Sequence, residues 1–247
     1  MKQVAARLAL LAVSATTPDG APAVVGIAGA VASGKSTLAG AVVDALTAEG
    51  ISAELVTTDG FLLPNSVLAA RGLTMHKGFP ESYDIDALTA LVDALHERRE
   101  GLRVPVYSHV TYDVEPGPGR RLASSRVAVV EGVNTLGALA DRLDLGVYLH
   151  AAEADLERWY VERFRALCEE ARTDPTSFYR TFASMAPEEI DAIALSTWRG
   201  INLVNLRDHI LPTRDLADVV VTKGSDHQVL DVEVREHADP GDERSAT

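Results

Sequence analysis

The chain has 247 residues, 47% apolar and 24% charged, with 23 Lys and Arg against 36 Asp and Glu for a net charge of −13. That length fits one α/β domain whose core needs no disulfide or metal staple, and the single cysteine, Cys168, excludes an intrachain disulfide. The acidic balance argues against a general nucleic-acid or anionic-membrane binder, since both need a positive field to reach phosphate, but it leaves room for a local basic pocket.

In chain order, the apolar run Leu8–Val13 is too short for a secretory signal core and reads as a helical turn or two packed on the domain. Residues 23–27 read as a short buried strand. Leu38, Val42 and Leu46 repeat at fourfold spacing and predict a helix over 37–49. Residues 54–58 form a second strand that ends at Asp59-Gly60. Residues 60–83 read as loop, with Pro64, Gly72, Gly78 and Pro80. Ile85, Leu88, Leu91, Val92 and Leu95 make a helical stripe behind Asp84, a residue suited to cap it. Strands are expected at 104–107, 127–130 and 146–149. Long helices are expected over 153–171 and 187–208, and late strands at 219–222 and 229–234. Cys168 falls on the pattern of Phe164 and Leu167 and reads as apolar filler. The charged tail 236–247 reads as disordered and solvated. Strands alternating with helices predict an α/β fold: a mostly parallel sheet with helices on both faces. The division expected is a short segment 1–22, a domain 23–235 and the tail.

The strongest motif is Gly29-Ala30-Val31-Ala32-Ser33-Gly34-Lys35-Ser36, followed by Thr37. It matches the phosphate-binding loop G-x-x-x-x-G-K-[ST] at every fixed position and sits between a strand and a helix. Glycines let backbone N–H groups curl around phosphate oxygens, and the helix that follows aims its positive dipole end at the same anion. Lys35 reaches the β- and γ-phosphates, and Ser36 can hold Mg²⁺. The spacing is not that of a dinucleotide fingerprint, which removes a hydride-transfer reading. The Asp-x-x-Gly and Asn-Lys-x-Asp elements of GTPase switches are absent, which disfavours a nucleotide-gated regulator.

Two carboxylates end strands on the same edge. Asp59 follows the second strand, and Glu131 follows residues 127–130. One could orient or deprotonate an attacking hydroxyl while the other holds the metal shell; a turn residue and a solvent-facing strand end are the bland alternatives. Tyr160, Arg163 and Phe164, spaced i, i+3 and i+4, share one helix face that could enclose a small anion or simply pack. The seven histidines form no metal-binding pattern.

Longer strings carry a resemblance. They include Gly26 to Thr37, Thr57-Thr-Asp-Gly-Phe-Leu62, Lys77-Gly-Phe-Pro-Glu-Ser-Tyr-Asp84 and Pro105 to Asp113. They continue with Glu131-Gly-Val-Asn134, Trp159-Tyr160 with Arg163-Phe164, Trp198 with Ile201-Asn202, and Ile210-Leu-Pro-Thr-Arg214. In order over about residues 24–235 they resemble bacterial type I pantothenate kinase, a phosphate-loop kinase family related to uridine kinase and phosphoribulokinase. The resemblance implies MgATP-dependent phosphorylation of the primary hydroxyl of pantothenate, the first step toward coenzyme A. It implies that Asp59 is the catalytic acid beside the hydroxyl and that Lys35 and Arg163 stabilise the transferring phosphoryl group. Tyr107, His109, Tyr160 and Asn202 would line the pantothenate pocket, Ser36 and Glu131 would hold the metal, and His227 would lie beside adenine. It further implies a cytoplasmic homodimer inhibited by coenzyme A. Several positions depart from the family: about twenty residues precede the first strand, Ala152-Glu153 replaces Pro-Glu, and His150 replaces Asp. Gly40 stands where the family often carries Arg, so weak coenzyme A inhibition is expected. A sister kinase acting on another small alcohol, such as a nucleoside, is the alternative, and a non-catalytic nucleotide-binding regulator is the second.

Overall fold

Ten strands run in chain order in the computed structural model, which describes residues 1–16 and 20–235. They are β1 (Ala23–Gly29), β2 (Ala53–Thr57), β3 (Arg103–Val104), β4 (Tyr107–Ser108), β5 (Asp113–Val114), β6 (Arg120–Arg121), β7 (Val127–Glu131), β8 (Leu145–His150), β9 (Val219–Lys223) and β10 (Val229–Val234). Six of them form one sheet in the order β10-β9-β8-β1-β7-β2. Five are parallel; β10 alone runs antiparallel, on the edge beside β9. The main helices are α1 (Lys2–Ser14), α2 (Lys35–Ala48), α3 (Asn65–Ala70), α4 (Ile85–His96), α5 (Thr135–Leu139), α6 (Glu153–Glu170) and α7 (Pro187–Thr197).

Period-2 alternation sends the strand side chains to two cores. Val25, Ile27, Val129, Val147 and Val221 pack under Leu38, Val42 and Leu46 of α2 and Leu8 of α1. Val24, Ala28, Val56, Val130 and Val220 pack on the opposite face against Leu88 and Val92 of α4 and Leu136 of α5. A mostly parallel sheet with helices on both faces is therefore the observed fold. The N-terminal run belongs to a full helix, α1, which buries Val4, Ala5, Leu8, Ala9 and Ala12. A third cluster joins α6 to α7 through Val161, Phe164, Cys168, Ile190 and Ala194, so Cys168 is apolar filler.

Three expectations differ from the structure. Residues 104–107 do not join the main sheet. Pro105 cannot donate a ladder hydrogen bond, and the chain splits there: β3 pairs with β6 and β4 with β5 in two small ribbons. Residues 60–83 carry α3 and three 3₁₀ turns, Thr58–Phe61, Thr74–His76 and Pro80–Ser82, rather than plain loop. The expected helix 187–208 begins as α7 but widens into π-helical turns at Trp198–Asn202 and Leu206–Ile210, around one α-helical turn, Leu203–Asn205. The tail 236–247 lies outside the described residues.

Strand register builds the site. Glu131 at the end of β7 sits between Ile27 of β1 and Thr57 of β2, two residues before Asp59. Gly132 then passes so close to the Asp59 turn that a Cβ would stand 1.7 Å from the Thr58 hydroxyl, a separation only glycine avoids. The carboxyl ends of β1, β2 and β7 thereby converge where α/β sheets bind their ligands.

Candidate active site

The phosphate loop leaves β1 and enters α2 through Gly34, whose φ of 90° is left-handed. Ala32 is also left-handed, at φ 63°. A non-glycine residue there carries strain of roughly 1–3 kcal/mol, of the kind found where backbone amides are aimed at a ligand. Ser36 Oγ donates to Glu131 Oε1 at 2.9 Å. Glu131 is 5% exposed, and its second oxygen is buried with no hydrogen-bond partner. A buried carboxylate with a free oxygen beside a hydroxyl is a hard-oxygen donor set of the kind Mg²⁺ takes together with phosphates.

An open cleft of about 1190 Å³, mouth included, adjoins the loop. Its walls bring together Lys35, Ser36, Asp59, Glu131, Tyr107, His109, Tyr160, Arg163 and Asn202, drawn from widely separated stretches of the sequence. Val31 is the residue between Ala30 and Ala32 that reaches it. Asp59 rides on the 3₁₀ turn capped by the Thr57 side chain. Tyr160, Arg163 and Phe164 do present one face of α6 to the cleft, and Asn202 lies on the same wall. His227 does not line the cleft. It lies on the other side of the loop, stacked on Trp159 at 4.1 Å.

Burial favours the neutral forms of the phenols and the imidazole that line the cleft. Burial, then neighbouring Tyr112 and the Asp59 charge, pushes the Tyr107 phenol well above its ordinary range. Tyr112 is pushed up to about 12, chiefly by burial. Burial lowers His109, with the Asp59 charge opposing and the Arg163 charge reinforcing the shift, so its imidazole is held toward the neutral form.

Sequence reasoning missed Lys77, Tyr112, Tyr179 and Asn205 as wall residues, although all line the cleft. Lys77 Nζ donates to Asn65 Oδ1 at 2.7 Å and to the Tyr112 carbonyl at 2.5 Å, and lies 4.1 Å from the centre of the Tyr112 ring. Burial lowers it to about 8, against the opposing charges of Asp113 and Asp59. Its presence in the string Lys77 to Asp84 was the available signal. Tyr112 stacks on Phe178 at 4.7 Å, and Tyr179 meets Phe164 edge-on at 5.5 Å, closing one end of the cleft with aromatic rings.

Comparison with known proteins agrees with this geometry. The phosphoribulokinase/uridine kinase family matches residues 24–163. A pantothenate kinase of Sorangium cellulosum is 48% identical over 225 residues, covering 87% of this chain and 73% of the relative. One from Streptomyces avermitilis is 43% identical over 231 residues, covering 88% and 70%. Among solved structures, a putative fructose transport system kinase from Silicibacter sp. TM1040 superposes with a TM-score of 0.67 at 27% identity, covering 82% of this chain and 92% of that one. A D-glycerate 3-kinase from Cryptococcus neoformans shares the fold alone, with a TM-score of 0.65 at 13% identity over 95% of this chain and 99% of that one.

Fold and cleft together define a phosphate-loop kinase, a phosphotransferase that acts on a small molecule and uses ATP. The chain belongs to the phosphoribulokinase/uridine kinase family and, within it, to the pantothenate kinases.

Proposed function

We propose that this protein transfers the γ-phosphoryl group of ATP to the primary hydroxyl of pantothenate, giving 4′-phosphopantothenate, the first step of coenzyme A biosynthesis. The observation that carries the reading is the single cleft in which the phosphate-loop residues Lys35 and Ser36 face Asp59, Tyr107, His109, Tyr160 and Asn202. Asp59 takes the hydroxyl proton as the new O–P bond forms and the bond to the β-phosphate oxygen breaks. Lys35 and Arg163 offset the charge on the moving phosphoryl oxygens. Tyr107, His109, Tyr160 and Asn202 hold the acceptor, with phenols and an imidazole kept neutral by burial. The loop from Gly29 to Thr37 holds the phosphates, and His227 beside Trp159 offers a flat surface to the base. Ser36 and Glu131 would hold Mg²⁺, which when bound offsets phosphate charge.

Finer points rest on the resemblance. A homodimer, a cytoplasmic location and weak competition by coenzyme A are the readings proposed. Among the described residues no helix is long and apolar enough to cross a membrane. The test is a panel of alcohols offered with ATP and Mg²⁺, with products identified by mass spectrometry. ATP-dependent phosphorylation of pantothenate is expected. Phosphorylation of a nucleoside instead, with pantothenate untouched, would move the protein to the sister-kinase reading.

A further inference from the structure

Lys223 closes β9 at the carboxyl edge of the sheet and is 4% exposed. Its Nζ donates to the Ser33 carbonyl of the phosphate loop at 2.6 Å. It stands 3.3 Å from His227 Nδ1 and 4.8 Å from the centre of the Trp159 ring. A Cβ added at Gly34 would lie 3.0 Å from the same nitrogen, so Lys223 sits directly against the Ser33–Gly34 peptide. No carboxylate among the described residues shifts its titration; burial alone does, and it lowers the pKa.

A buried ammonium without a counter-ion is costly, and it is retained where something else supplies the negative charge. The Ser33 carbonyl and the Gly34 N–H belong to one rigid peptide plane and point in opposite directions. Fixing the carbonyl on Lys223 therefore aims the Gly34 N–H away from Lys223, toward the phosphate side of the loop. The same ammonium touches the ring pair that lies beyond the loop, so one side chain joins both halves of the nucleotide surface.

We propose that Lys223 is a positioning residue for the nucleotide. It sets the Ser33–Gly34 peptide for phosphate binding, and its charge is completed by the bound phosphates. This rests on the reading of the loop as the ATP site. The test measures binding of ATP, tripolyphosphate and adenosine by calorimetry, without acceptor, to the native protein and to Lys223→Met and Lys223→Arg. Loss of a charge-assisted hydrogen bond should weaken ATP and tripolyphosphate about ten- to a hundredfold in Lys223→Met. Adenosine binding should weaken far less than tripolyphosphate binding, because Trp159 and His227 stack on each other, the KM for pantothenate should be unchanged, and Lys223→Arg should recover most of the phosphate affinity. A native-like tripolyphosphate affinity in Lys223→Met overturns the proposal. So does an equal loss for adenosine, which marks general collapse of the site, and so does failure of both variants to fold, which makes Lys223 a packing residue. If the native protein binds neither ATP nor tripolyphosphate, the ATP-site reading fails first and the proposal falls with it.

Discussion

Replacing Gly40 by Arg perturbs two properties that separate cleanly. Gly40 lies within α2, four residues after Ser36, so the two share one face of the helix and a long side chain at 40 extends along the side of the proposed phosphate site. A Cβ at Gly40 meets no atom within 4 Å, so the substitution enters open space. Glycine inside a helix costs about 0.8 kcal/mol relative to a good helix former such as Arg. In a chain of this size that gain should raise the Tm by about 2–3 °C. The new guanidinium should also make a charge-assisted contact to phosphate worth ~1.5–3 kcal/mol, which tightens coenzyme A inhibition by roughly ten- to a hundredfold. ATP should respond less, because the proposed contacts from Lys35, Ser36 and the loop amides remain. The assay pairs calorimetric melting with the inhibition constant for coenzyme A against ATP. Low-micromolar inhibition of the native protein, or a stabilised variant with unchanged inhibition, would show that Gly40 does not set feedback strength.

Asp59→Asn should leave ATP binding intact and lower turnover by about 10²–10⁴, the range for losing a general base; near-normal turnover measured in a coupled kinase assay would remove Asp59 from that role. Lys77 gives a pH signature. Its folded pKa of about 8 lies below the ordinary 10.5, so the unfolded chain binds more protons between those values and stability should rise with pH across that window. Urea titrations at a series of pH values should show that rise in the native protein and a flatter profile in Lys77→Met; identical slopes would mean that Lys77 is not held in its buried setting.

Much of this architecture was legible before the structure, and the reasons are local. The buried run at β1, the glycines and Lys35 of the loop, and the fourfold spacing of Leu38, Val42 and Leu46 all report on neighbours in sequence. Asp59 and Glu131 were readable because each ends an apolar strand. The ribbons formed by β3 with β6 and β4 with β5 were not, since each strand spans two residues and carries no period. The π-helical turns at Trp198–Asn202 and Leu206–Ile210 keep an apolar spacing close to that of an α-helix and so hide in the sequence. The roles of Lys77 and Lys223 were not readable for a different reason, although Lys77 stands in the string Lys77 to Asp84. Their roles come from partners far along the chain: Tyr112 for the first, and Ser33, 190 residues away, for the second. Side-chain charge alone does not distinguish a lysine that pins a carbonyl from one that is merely solvated.

In the proposed reaction Asp59 and the phosphate loop meet one primary hydroxyl in one cleft. The most direct measurement is phosphorus NMR of the product made from pantothenate, ATP and Mg²⁺ by the native protein. A single new phosphomonoester is expected, its phosphorus coupled to the two protons of a primary carbon. A phosphorus coupled to one proton of a secondary carbon, an acyl phosphate, or release of inorganic phosphate with no ester would contradict it.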